Sequence, residues 1–159
     1  MAEINENNAL LNRGLEAEYT AIAAYETAIA SGKLNEKAVD LANTFKKQHN
    51  DHAEAIKGFV QQLGGQPVEK KSSQEYISKL PADKLTSQEN ILRIAAHLEK
   101  MATIGFLKQV SELNDRKMAQ TISSISSDEA MHWATLRNAL GEAPVPFSFV
   151  PLNFEEAPD

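Results

Sequence analysis

The stretch Ser126-Ser127-Asp128-Glu129-Ala130-Met131-His132-Trp133 decides how the rest of the chain is read. It holds a Glu-x-x-His pair, Glu129 and His132, among apolar residues at helical spacing. On a helix, positions i and i+3 share a face. A carboxylate and an imidazole therefore point together toward whatever Ile125, Leu136 and Leu140 pack against. A bare carboxylate is costly to bury on an apolar face, and a metal ion relieves that cost. Four letters recur by chance, so the assignment depends on whether the remaining chain supplies matching ligands.

Working outward, the same run continues as a helix to about Leu140, with Met118, Ile122, Ile125, Leu136 and Leu140 on the stripe of Glu129 and His132. Gly141 ends it, and Asn114-Asp115 turns and caps its start. The preceding helix runs from the capping-box pattern Thr86-Ser87-Gln88-Glu89 to Leu113. Its stripe is Leu92, Ala95, Glu99, Ala102, Phe106, Val110 and Leu113, with Ile94, Leu98, Met101 and Ile104 adding apolar surface that suits a neighbouring subunit. The short connection at Asn114-Asp115 predicts an antiparallel helical hairpin.

The N-terminal half repeats the plan. A first helix from Ile4 to about Ala30 carries Leu11, Leu15, Glu18, Ile22, Tyr25 and Ile29, with Glu16 and Glu26 off the stripe and solvated. Asn35 caps a second helix to Leu63, whose stripe is Leu41, Phe45, His52, Ile56, Phe59 and Leu63, with His49 beside it. Gly64-Gly65-Gln66-Pro67 stops it. Residues 66 to about 86, broken by Pro67 and Pro81, form a long crossover with one short helix over Ser73–Lys79. Such a link lets helices two and three run parallel.

With His52 aligned on His132, Glu18 precedes its histidine by 34 positions and Glu99 precedes its own by 33. Tyr25 lies seven after Glu18, as Phe106 lies seven after Glu99. The partner of Glu129 is His49. One half thus offers Glu18 with His49-x-x-His52, the other Glu99 with Glu129-x-x-His132. Four helices delivering ligands in register is a far more specific signal than one motif.

On these residues, over about 4–140, the chain resembles the ferritin-like superfamily, among it bacterial ferritin-like-domain and desiccation-related proteins. The resemblance implies an all-α, antiparallel four-helix bundle with a long crossover between helices two and three. It implies an iron or manganese pair that reacts with dioxygen or peroxide, as in ferroxidases and peroxidases. Glu18, His49, His52, Glu99, Glu129 and His132 are the metal ligands so implied. Glu18, Glu99, Glu129 and Tyr25 are the candidate catalytic residues, Tyr25 reading first as core packing and second as a radical or proton donor. Two iron ions are expected, with manganese or zinc as alternatives. The departure from the family pattern is His49, which stands where a glutamate is usual. It leaves three carboxylates with three imidazoles and makes the two metal positions unequal.

Composition bounds the other classes. Net charge is −6, which argues against nucleic acid as a partner. With no cysteine, disulfides, thiolate-held iron–sulfur or rubredoxin centres and thiol nucleophiles are excluded. No apolar run approaches the ~20 residues of a membrane span. The start, Met1-Ala2-Glu3-Ile4-Asn5, lacks signal-peptide features. A cytoplasmic protein is expected, or a periplasmic one if this is a processed form. Residues 1–142 are expected to be the bundle. Residues 143–159, with four prolines, are expected to be an extended tail burying Phe147, Phe149 and Phe154 on the bundle or a partner. A homodimer or other homo-oligomer is expected. The rival reading is a metal-free or single-metal helical scaffold or interaction protein, stress related.

Overall fold

The structure is a computed structural model that describes residues 2–78 and 85–155, with side chains described from residue 6 onward. Lys79 and Pro81 of the crossover and Pro158 of the tail lie outside the described residues. Among the described residues the chain is all helix and loop: α1 (Ala2–Ala30), α2 (Glu36–Gln62), α3 (Ser73–Ile77), α4 (Gln88–Glu112) and α5 (Arg116–Ala139). No helix among them is long and apolar enough to cross a membrane. The chain divides into two compact units, residues 1–91 and 92–159.

In the first unit α1 and α2 pair antiparallel, because contacts climb one helix as they descend the other. Asn12 reaches the backbone of Gln66 and Val68, Glu18 meets His49 and His52, and Tyr25 meets Phe45. Leu11, Leu15, Ile22 and Ala23 on α1 are almost fully buried. The buried face of α2 is Ala42, Phe45, His49, Ala53, Ile56 and Val60. This is turned by about one position from the stripe expected from sequence. His49 rather than His52 is central, because alanines at 42 and 53 let the helices approach and draw their own face inward. Asn35 caps α2 by accepting from the Ala38 N–H at 2.9 Å. Gly64, at φ 72°, closes it in a Schellman arrangement, Gly65 N–H donating to Val60 O and Gly64 N–H to Gln61 O.

The crossover is laid against α1. Ser72 and Glu75 form a capping box that starts α3. Tyr76, 1% exposed, packs near Tyr19 with ring centroids 6.5 Å apart. Glu16 and Glu26, expected to be solvated, instead tether this segment: Lys71 Nζ lies 2.7 Å from Glu16 and Ser73 Oγ donates to Glu26 at 2.8 Å. The short helix ends at Ile77, two residues before the expected boundary. At the start of α4 Ser87 Oγ accepts from the Asn90 N–H at 3.2 Å, beside the expected Thr86, whose Oγ1 accepts from the Asn90 side-chain amide at 2.9 Å.

In the second unit α4 and α5 are likewise antiparallel: Arg93 meets Glu142, Glu99 meets His132 and Thr103 meets Ser126. Asp115 caps α5 by accepting from the Met118 N–H at 2.9 Å. Met118, Ile122, Ile125 and Leu136 are buried as the stripe predicts. Ile104, expected on an outward surplus face, is fully buried, whereas Met101 is 38% exposed. The tail turns at Gly141 (φ 77°). Glu142 pairs with Arg93 at 3.0 Å and Arg137 at 3.2 Å. Phe147 packs near Trp133, centroids 6.1 Å apart, and Phe154 lies under Lys108, whose Nζ is 4.5 Å from the ring centre. Phe149 departs from expectation. It is 89% exposed: residues i and i+2 of a regular extended strand would share a face, but this segment is irregular and of its phenylalanines only Phe147 and Phe154 are half-buried.

Candidate metal centre

α1 brings Glu18 into the first unit's interior on the face of Leu15 and Ile22, where its side chain is 1% exposed. Two turns of α2 answer it. His49 Nδ1 lies 2.8 Å from Glu18 Oε2, and His52 Nδ1 lies 3.5 Å from Oε1. The imidazoles stand edge to face, at 88° and 6.0 Å. His49 is also 1% exposed, while the His52 side chain keeps 14% of its surface in solvent. Tyr25 stacks on His49 at 5.5 Å and 28° and meets Phe45 edge-on, so the His49 ring is held on three sides. Donor atoms of Glu18, His49 and His52 lie within 4.8 Å of one another.

The second unit holds a matching group. Glu99 comes from α4, Glu129 and His132 from α5, and all three are at most 2% exposed. Their donor atoms also lie within 4.8 Å of one another. His132 Nδ1 is 3.2 Å from Glu129 Oε2 and 3.4 Å from Glu99 Oε2. Its other nitrogen, Nε2, faces Asp128 Oδ2 at 3.3 Å. Two hydroxyls fix the register one turn away. Ser126 donates across to the Thr103 carbonyl at 2.9 Å, and Thr103 donates to the Glu99 carbonyl at 2.8 Å. Burial alone would lower the His132 pKa, and it is the largest single influence. The hydrogen bonds and charges of Glu129 and Glu99 together outweigh it and push the value up to about 9.

All six residues singled out from the sequence as ligands are thus gathered, three in each unit, and Tyr25 lies against one of them. Asp128 was part of the quoted motif but carried no assigned role. Its signal was the i, i+4 spacing to His132. Lys100 and Arg137 are buried to 3% and 6% exposure. Nothing in their spacing distinguishes them from surface cations. His97 is exposed, as its position off the stripe suggests.

The donor set fits a transition-metal ion. Imidazole and carboxylate are ligands for iron, manganese and zinc, and the six donors come from buried or nearly buried side chains. In the first unit Glu18 Oε1 is a buried carboxylate oxygen that accepts no hydrogen bond, an arrangement a cation would satisfy.

No curated protein matches this sequence. A solved structure does: that of a conserved hypothetical protein from Mycobacterium tuberculosis, at a TM-score of 0.75 with 18% identity, covering 92% of this chain and 99% of that one. At that identity the likeness speaks to fold alone. The family described as the ferritin-like domain matches residues 6–142, from before Glu18 to beyond His132. The chain therefore belongs to the ferritin-like domain family and has its all-α fold.

Proposed function

We propose that this protein binds two metal ions, iron or manganese, in a carboxylate–histidine centre and acts as an oxidoreductase toward dioxygen or peroxide, ferroxidase- or peroxidase-like. The observation that carries the reading is the convergence of donors: ligand atoms of Glu18, His49 and His52, and those of Glu99, Glu129 and His132, lie within 4.8 Å of one another, and all of these side chains but His52 are buried. An isolated buried carboxylate is expensive, and three of them with three imidazoles on inward faces are best understood as ligands.

These six residues would hold the ions. When bound, such a pair supplies one-electron redox chemistry at a dry, protein-lined position. Against two divalent cations the three carboxylates leave one positive charge uncompensated, which a small external anion balances. Asp128 holds the His132 ring by its Nε2 and leaves Nδ1 toward Glu99 and Glu129. Tyr25 shields His49 from water and offers a phenolic proton beside the centre. His52, partly exposed, marks the side on which the first donor group meets solvent. A cytoplasmic homo-oligomer is the accompanying reading.

A second reading, a metal-free or single-metal scaffold, is favoured by the 2.8 Å contact of Glu18 with His49, which lets the side chains satisfy one another. Anaerobic titration of the metal-stripped protein with ferrous iron separates the two. About two ions per chain, followed by dioxygen consumption on exposure to air, supports the oxidoreductase. Binding of no ion, with unchanged melting temperature, refutes it.

A further inference from the structure

We propose that Met101 and Met131 are a pair of sacrificial oxidation sites: exposed thioethers on the outer faces of α4 and α5 that each take one oxygen atom from a peroxide and are restored by a dithiol-dependent methionine sulfoxide reductase. The proposal stands whether or not the metal centre is filled.

Exclusion carries the first half of the argument. Thiols, thioethers, indoles and phenols are the side chains that peroxides and their products attack most readily. The chain has no cysteine. Its one tryptophan, Trp133, and its three tyrosines, Tyr19, Tyr25 and Tyr76, are at most 8% exposed. Met118 is 2% exposed, whereas Met101 is 38% and Met131 59% exposed. Among the described residues these two thioethers are therefore the readily oxidised groups left open to water.

Their placement carries the second half. Met101 follows Glu99 by two positions, and Met131 follows Glu129 by two. At about 100° per residue, each thioether stands across its helix from a buried carboxylate. Glu99 and Glu129 both meet His132, so the sulfurs lie at the level of that donor group but outside the hairpin. A helical side chain leans back over the turn before it, so the residues three and four positions on decide what covers each sulfur. After Met101 these are Ile104, fully buried, and Gly105, where even an added Cβ would meet nothing within 4 Å. After Met131 they are Ala134 and Thr135, whose hydroxyl is held by the Met131 carbonyl at 2.7 Å. Neither sulfur is covered by the turn that follows it on its own helix.

The step balances. A sulfur lone pair attacks one peroxide oxygen, the O–O bond breaks as the S–O bond forms, and the departing oxygen takes up a proton and leaves as water. Sulfur loses two electrons and the peroxide gains them. Two thiols of the reductase later return them, giving thioether, disulfide and water. On the outer face the polar sulfoxide is hydrated and no core contact is lost. At Met118 the same oxygen would have to be buried among apolar side chains.

The test is exposure of the full-length protein to hydrogen peroxide, with mass spectrometry of its peptides reading each methionine separately. Met131 and Met101 should each gain one oxygen atom, Met131 first, while Met118 reacts at least about tenfold more slowly because it must await local opening. The melting temperature should shift by less than about 2 °C, and methionine sulfoxide reductase with a dithiol should remove both oxygens from the folded chain. A Met101→Leu, Met131→Leu double variant should lose the fast uptake. Reaction of Met118 as fast as Met131, protection of either exposed methionine, unfolding on oxidation, or sulfoxides that the reductase cannot reach overturns the proposal. None of these outcomes bears on metal binding, which the ferrous titration decides.

Discussion

His132 carries the clearest consequence at the level of single residues. Its pKa of about 9 in the folded protein stands above the ordinary 6.5, so folding favours the protonated ring. That contribution is fully present below about pH 6.5 and is lost as pH rises through about 9. The metal-free protein is therefore expected to melt highest below pH 6.5 and progressively lower toward pH 9. Scanning calorimetry across that range checks it, and His132→Gln should flatten the slope. Since a cation must displace the same proton, metal affinity should rise over the same interval. Glu99, Glu129 and His132 were legible from spacing because they interrupt apolar stripes with groups an apolar face does not tolerate unaided. The central place of His49 was not legible. It depends on Ala42 and Ala53 facing inward, and a single sequence does not say which of two adjoining stripes a helix buries. Lys100 and Arg137 were opaque for a related reason: burial of a cation is decided by partners distant in sequence, as with Arg137, which donates from Nε to the Ala143 carbonyl at 2.8 Å.

Among the helices, the ends were easier to foresee than the bonds that make them. Asn35, Asp115, Gly64 and Gly141 terminate helices where the sequence marks them, since each supplies a local acceptor or a left-handed backbone. At α4 two adjacent hydroxyl residues compete, and geometry gives the cap to Ser87. Ser87→Ala is expected to cost about 1 kcal/mol in urea denaturation, and Thr86→Ala appreciably less. Equal losses would restore Thr86 as the cap. A tighter constraint lies at the end of α2, where a Cβ on Gly65 would stand 2.5 Å from Asn8 Oδ1. Gly65→Ala should therefore destabilise by about 1–3 kcal/mol. In a double-mutant cycle, Asn8→Ala should recover much of that loss, whereas additivity would show that the contact is relieved in some other way. No sequence pattern announces this approach, because it joins α1 to a turn more than fifty residues later.

For the whole molecule, the family assignment was accessible because four long 3.6-residue stripes, two hairpins and one long crossover leave few alternative folds. The tail was only partly readable. Its apolar content pointed to packing, but not to which rings would turn inward. Phe147, set near Trp133, and Phe149, 89% exposed, now give opposite expectations. Phe147→Ala should cost about 1–2 kcal/mol through lost apolar burial, while Phe149→Ser should stay within about 0.5 kcal/mol. Thermal melts of both variants beside a chain truncated after Glu142 test this. A larger loss from Phe149 than from Phe147 would show that the outer row is covered in solution.

That Glu18 lies against His49 and His52 within one helical hairpin has a consequence for biosynthesis. Glu99 follows His52 by 47 residues. At ~5–20 residues per second of translation, the ribosome finishes Glu18, His49 and His52 about 2–9 s before it adds the first donor of the other group. The nascent N-terminal hairpin thus meets the cell's metal pool while its counterpart does not yet exist. Order of synthesis then lets Glu18, His49 and His52 pair with one another before any carboxylate of the second half can compete for them.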